Sequence, residues 1–180
     1  MYDLKSLADT ITLLRGGLAL LFIWLGANGG RESLPLAAGL LILCWTGDFI
    51  DGSIAHRSQN QRHTWIGDRD IDIDIFVSIC LGMYLTLAGF VPLLWAVGYA
   101  ALWAVIFWLS GRNHALLELV QAPIYAAMIA AALVNAPPSG LMLVGWILLA
   151  LLINRSRFVH QIVQEFLDDM HDALHWSHRR

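Results

Sequence analysis

Four aspartates of this chain stand where acids are hard to keep. Asp48 and Asp51 are spaced i,i+3 at the end of one apolar run, and Asp70 and Asp74 are spaced i,i+4 at the start of the next. On a helix each spacing puts both carboxylates on one face. Near lipid a charged side chain costs roughly 2.5–3.5 kcal/mol at the bilayer centre even on the lower scales, so a quartet needs a purpose. Two such faces brought together make a cage of oxygen ligands suited to hard divalent cations, Mg²⁺ or Mn²⁺. Ions of that kind serve phosphoryl chemistry, bridging phosphate oxygens and neutralising charge as it develops. Gly52, directly after Asp51, lets a bulky phosphate or nucleotide approach the backbone. Arg57 and Arg62 follow as phosphate partners, arginine being the side chain that forks onto phosphate oxygens.

The elements that must position these acids are membrane helices. Of 180 residues, 58% are hydrophobic and 14% charged, with mean hydropathy +0.62. A soluble domain carries about 25% charged residues, so the chain reads as an integral membrane protein. Six apolar spans are predicted at about 10–27, 34–51, 70–89, 92–109, 115–135 and 140–153. Gly29-Gly30, Gly111-Arg112-Asn113 and Pro137-Pro138-Ser139-Gly140 punctuate them. The expected fold is an all-α six-transmembrane-helix bundle forming one domain over 1–180, with its motif region at 48–74. No repeat is visible, and no cleavable signal peptide or nucleic-acid partner is expected.

Lys5, Arg57, Arg62, Arg69, Arg112, Arg155, Arg157, Arg179 and Arg180 fall on one side of such a bundle; Arg31 alone stands in a loop on the other. The positive-inside rule then puts both termini and the aspartate segment in the cytoplasm. Arg15 lies inside the first span and votes for neither side. Beyond the last span, Val159, Ile162, Val163, Phe166, Leu167, Met170 and Leu174 recur at helical spacing. They predict a C-terminal amphipathic helix over about 155–176, lying on the bilayer or packed on the bundle or a second subunit.

The acid pattern resembles the signature of the CDP-alcohol phosphotransferase family: Asp-x2-Asp-Gly-x2-Ala-Arg, eight or nine residues, then Gly-x3-Asp-x3-Asp. Asp48, Asp51, Gly52, Ala55, Asp70 and Asp74 are in register. The opening Ala8-Asp9-Thr10-Ile11-Thr12-Leu13-Leu14-Arg15 is similar to the family's Pro-Asn-x-Leu-Thr-x-x-Arg. Two positions depart: His56 replaces the motif arginine, with Arg57 one place later, and Ile66 stands at the second glycine, with Gly67 one place late. The resemblance implies Asp48, Asp51, Asp70 and Asp74 as metal ligands and Asp74 also as the base for the acceptor hydroxyl. It implies nucleotide contacts at Gly52, Ala55, His56, Arg57 and Gly67, with CDP-diacylglycerol or another CDP-alcohol as donor and CMP as leaving group. The acceptor would be a small alcohol; the clustered arginines, Arg112 and Arg155 among them, favour a phosphorylated one. Homodimers are common in that family.

Two other functions use the same acids: a non-catalytic relative that keeps the metals, and a divalent-cation channel or transporter. The cytosolic-edge position of the acids disfavours the channel. Asp68 and Asp72 form their own i,i+4 pair roughly opposite Asp70 and are expected at a solvated surface. The alternating Asp-Ile-Asp-Ile-Asp-Ile suggests a strand in isolation, but a lone strand beside lipid leaves its backbone unpaired. His63, His114, His160, His171, His175 and His178 lack ligand spacing. Trp24, Trp45 and Trp65 suit membrane interfaces, and Cys44 and Cys80 read as small buried hydrophobes.

Overall fold

Long apolar stretches with few breakers fold here as helices throughout. The computed structural model describes the backbone of residues 4–57, 70–111 and 114–153, and the side chains of 10–50, 72–111 and 115–153. Helix α1 (Leu4–Asn28) is joined through a 3-10 turn, Gly30–Ser33, to α2 (Leu34–Arg57). There follow α3 (Asp70–Leu87), α4 (Leu93–Ser110), α5 (His114–Leu119), α6 (Ala122–Asn135) and α7 (Pro137–Ile153). The segments Thr10–Asn28, Gly30–Ile50, Leu93–Ser110 and Ala115–Asn135 are long and apolar enough to cross a membrane. α3 carries Asp70, Asp72 and Asp74 in its first turns, and its alternating acids and isoleucines are helical from Asp70 onward. The expected amphipathic helix at 155–176 lies outside the described residues.

α1 packs chiefly on α2 and α3, and each of these helices turns one narrow seam inward. On α1 it is Thr12, Arg15, Ala19, Phe22 and Gly26; on α2, Leu34, Ala37, Leu41 and Cys44; on α3, Val77, Leu81, Tyr84 and Ala88, all of them buried. The alternating steps of three and four are those of helices crossing at a shallow angle. One more step along the α2 seam reaches Asp48, and one step back along the α3 seam reaches Asp74. The other faces stay apolar and exposed, as at Leu13, Leu14, Leu20 and Trp24, the kind of surface that a bilayer would cover.

Small residues set the close approaches. A Cβ on Gly26 would lie 3.1 Å from the Tyr84 Cα, and one on Gly140 would lie 2.6 Å from the Leu133 Cα. Thus α1 meets α3, and α6 meets α7, almost backbone to backbone. At the end remote from the aspartates, Arg31 donates to the Gly89 carbonyl at 2.6 Å and lies 5.3 Å from the Phe90 ring centroid. Gly89 takes φ +74 there, a left-handed turn that glycine adopts without steric cost. This clasp ties the α1–α2 connection to the α3–α4 turn.

The predicted span 115–135 is not one helix. It breaks at Val120 and Gln121 because Pro123, near the start of α6, has no N–H to give and its ring crowds the preceding turn. The amide of Ile124 turns to the Gln121 carbonyl at 3.0 Å. The Val120 carbonyl instead accepts the Tyr99 hydroxyl of α4 at 2.6 Å.

Candidate functional site

The three buried seams end on three charges that meet. Arg15 of α1 places one guanidinium nitrogen 3.0 Å from Asp48 Oδ1 of α2, and its other terminal nitrogen on Asp74 Oδ1 of α3. Its side chain is 5% exposed, against 46% for Asp48 and 29% for Asp74. The guanidinium is therefore buried behind two carboxylates that look outward. A planar fork on a long stem is the side chain that can address two acids on different helices at once. Gly47 makes room for it: a Cβ there would lie 2.8 Å from Arg15 Cδ and 3.0 Å from Cγ.

Asp48 and Asp74 open onto a cavity of about 280 Å³, whose opposite wall is the broken segment of α5 and α6: Glu118, Gln121 and Tyr125. Gln121 is buried; its amide donates to the Leu117 carbonyl at 2.9 Å, and its Oε1 accepts the Tyr125 hydroxyl at 3.3 Å. The floor is aromatic. Trp45 packs edge-on against Tyr125, centroids 5.5 Å apart, and tilted against Trp146 at 5.4 Å. The Trp146 indole N–H donates to Thr46 at 3.1 Å, holding α7 to the same wall.

Of the acids expected to act together, Asp48 and Asp74 are brought onto one cation. The helical backbone of α2 continues from Asp48 through Asp51, Gly52, Ala55, His56 and Arg57, and that of α3 begins at Asp70. The side chains of Asp51, Ala55, His56, Arg57 and Asp70, together with Arg62, Gly67, Asp68, Arg112 and Arg155, lie outside the described residues. Among the described residues no group of three or more His, Cys, Asp or Glu side chains gathers as a metal site.

Trp45 lines the cavity as part of its aromatic floor, where Tyr125 of α6 and Trp146 of α7 pack against it. Asp72 is half-buried and engaged in an interaction of its own, so it is less solvated than a position opposite Asp70 suggests. Cys44 and Cys80 are buried thiols, as expected.

Arg15 is the residue whose role sequence reasoning missed. Its signal was a full charge inside an apolar span, which marks a functional site by default. Glu118, Gln121 and Tyr125 were missed as well, although they recur at i, i+3 and i+7 along an otherwise apolar segment and so share a helix face. No protein-family model, no curated protein and no solved structure matches this chain.

Proposed function

We propose that the chain is a membrane-embedded phosphotransferase of the CDP-alcohol type, acting in phospholipid biosynthesis. It would move a phosphatidyl or related substituted phosphate group from a CDP-linked donor such as CDP-diacylglycerol to a small alcohol, releasing CMP. The observation that carries this reading is the meeting of Arg15, Asp48 and Asp74 from three helices at one cavity. Asp48 and Asp74 are the two ends of the double acid motif, and the fold brings them together across 26 residues of sequence separation. In this reading six spans cross the bilayer, with both termini and the cavity mouth on the cytosolic side. The nucleotide and the alcohol arrive there while the acyl chains stay in lipid.

The acids suit Mg²⁺ or Mn²⁺, since carboxylates from two helices already gather about one positive charge. Asp48, Asp51, Asp70 and Asp74 would hold the metal, which when bound supplies charge neutralisation on the pyrophosphate. Gly52, Ala55, His56, Arg57 and Gly67 would border the nucleotide, with Arg57 gripping phosphate. Asp74 accepts the proton of the acceptor hydroxyl as that oxygen bonds to the β-phosphorus, and the bridging oxygen departs with CMP. Arg15 holds Asp48 and Asp74 in one place beforehand, so orientation is settled before substrate arrives.

The test is CMP release from CDP-diacylglycerol by the full-length protein in detergent micelles with Mg²⁺ or Mn²⁺ and a panel of alcohols. Release that disappears in Asp48→Asn and Asp74→Asn supports the transferase. Mn²⁺ binding with no release by any alcohol indicates a non-catalytic relative, and Mn²⁺ flux into proteoliposomes indicates a transporter.

A further inference from the structure

A divalent ion and a guanidinium seek the same partners, carboxylate oxygens, and in this fold the guanidinium already has them. The two terminal nitrogens of Arg15 take Asp48 Oδ1 from α2 and Asp74 Oδ1 from α3. A guanidinium keeps its charge at any physiological pH, so Arg15 cannot make way for a metal by losing a proton. Nor does it stand where it can swing into solvent. Its side chain is 5% exposed, and its stem runs so close to Gly47 that a Cβ there would lie 2.8 Å from Cδ.

The two acids, by contrast, open onto the cavity. A carboxylate oxygen has two lone pairs, so Asp48 and Asp74 can turn toward an ion in the cavity while still accepting from the arginine behind them. Two positive charges then share one pair of acids. Water screens a buried charge poorly, and the ion, being divalent, feels the guanidinium twice over.

Arg15 therefore acts on metal binding in two opposed ways. It keeps the acids together beforehand, which favours the ion, and its charge repels the ion. Helix packing duplicates the first effect. Ala19, Phe22, Leu41, Cys44, Val77 and Leu81 are buried along the same three seams, and Gly26 brings α1 almost onto the Tyr84 backbone. The helices that carry Asp48 and Asp74 are thus held against α1 with or without the guanidinium, and the repulsion is the larger effect.

We propose that Arg15 is a resident competitor of the metal. It pairs with Asp48 and Asp74 when no ion is present and lowers their affinity for Mg²⁺ or Mn²⁺, which keeps the ion exchangeable. This rests on the transferase reading for the metal at these acids.

The experiment measures Mn²⁺ binding to the full chain in micelles by electron paramagnetic resonance, beside CMP release from CDP-diacylglycerol. Arg15→Gln, which removes the charge, should bind Mn²⁺ about ten-fold or more tighter than the unmodified protein. Adding Asp48→Asn to Arg15→Gln should abolish that gain. Arg15→Lys keeps the charge without the fork and should bind Mn²⁺ within about three-fold of the unmodified protein. A merely structural role predicts the reverse, weaker binding in both single variants. Unchanged or weaker binding in Arg15→Gln overturns the competitor, as does a gain that survives Asp48→Asn. If Arg15→Gln does not fold, Arg15→Lys decides: binding about ten-fold weaker there shows that the fork positions the acids for the ion and overturns the competitor, whereas unchanged binding upholds it. CMP release by the unmodified protein reads the transferase separately. Release without a gain in Arg15→Gln leaves the transferase standing and removes the competitor. A gain in Arg15→Gln without release from any alcohol does the opposite.

Discussion

Arg15 shows how one side chain can organise three helices. It is a charge in an apolar span, and its cost is offset because two carboxylates on separate helices take both ends of its fork. Replacing it with alanine removes the guanidinium that Asp48 and Asp74 share. Both are partly exposed, so the loss should stay below that of a fully buried pair, at about 1.5–3 kcal/mol. Arg15→Lys keeps the charge but not the fork, and should fall between the two. Thermal unfolding of the three proteins in the same detergent checks the order. Gly47→Ala tests the same contact from the other side. Its added methyl displaces Arg15 at Cγ and Cδ, and overpacking of this kind costs about 1–3 kcal/mol. If Gly47→Ala unfolds at the same temperature as the unmodified protein, Arg15 is held less tightly than its surroundings indicate.

Among the elements, the break between α5 and α6 and the crossing of α6 with α7 carry the architecture of the cavity wall. Tyr99→Phe removes the hydroxyl donated to the Val120 carbonyl and leaves that carbonyl unpaired in an apolar setting. The expected cost is about 1–3 kcal/mol. Since the wall shifts with it, hydrogen exchange at residues 118–125 should rise more than at α1. Gly140→Ala places a methyl 2.6 Å from the Leu133 backbone, where no rotamer change relieves it. The two helices must separate, and a loss of about 2 kcal/mol or more is expected from the overpacking range, measured as a lowered unfolding temperature. The same substitution at Gly98, where an added Cβ meets nothing within 4 Å, is the matched control and should be nearly neutral.

For the whole molecule, the exposed surface is the surface a bilayer would cover. α4 is the extreme case, with Leu94 81% and Trp108 83% exposed, which in water would be an aggregation surface. With both cysteines buried, a Cys44→Ala, Cys80→Ala background should fold and accept single new cysteines. Thiols placed next to Arg57 and Arg112 should label from the same side of sealed vesicles, and one beside Arg31 from the other. Labelling of the Arg57 and Arg112 sites from opposite sides overturns the six-span topology.

Helical class and the presence of helices long and apolar enough to cross a membrane were legible because they depend on composition and on the length of apolar runs, which are local quantities. So was the gathering of Asp48 and Asp74, since i,i+3 and i,i+4 spacings on adjoining helices constrain where acids can meet. The periodicity of α1 likewise carries Arg15 on the same seam as Ala19 and Phe22. What it could not say is which neighbours that seam meets, for the identity of a partner is a property of helix packing. The tertiary structure alone paired Arg15 with acids 33 and 59 residues away. It also turned the α5–α6 break toward them, because an otherwise apolar run with one proline does not reveal which way its freed carbonyl will face.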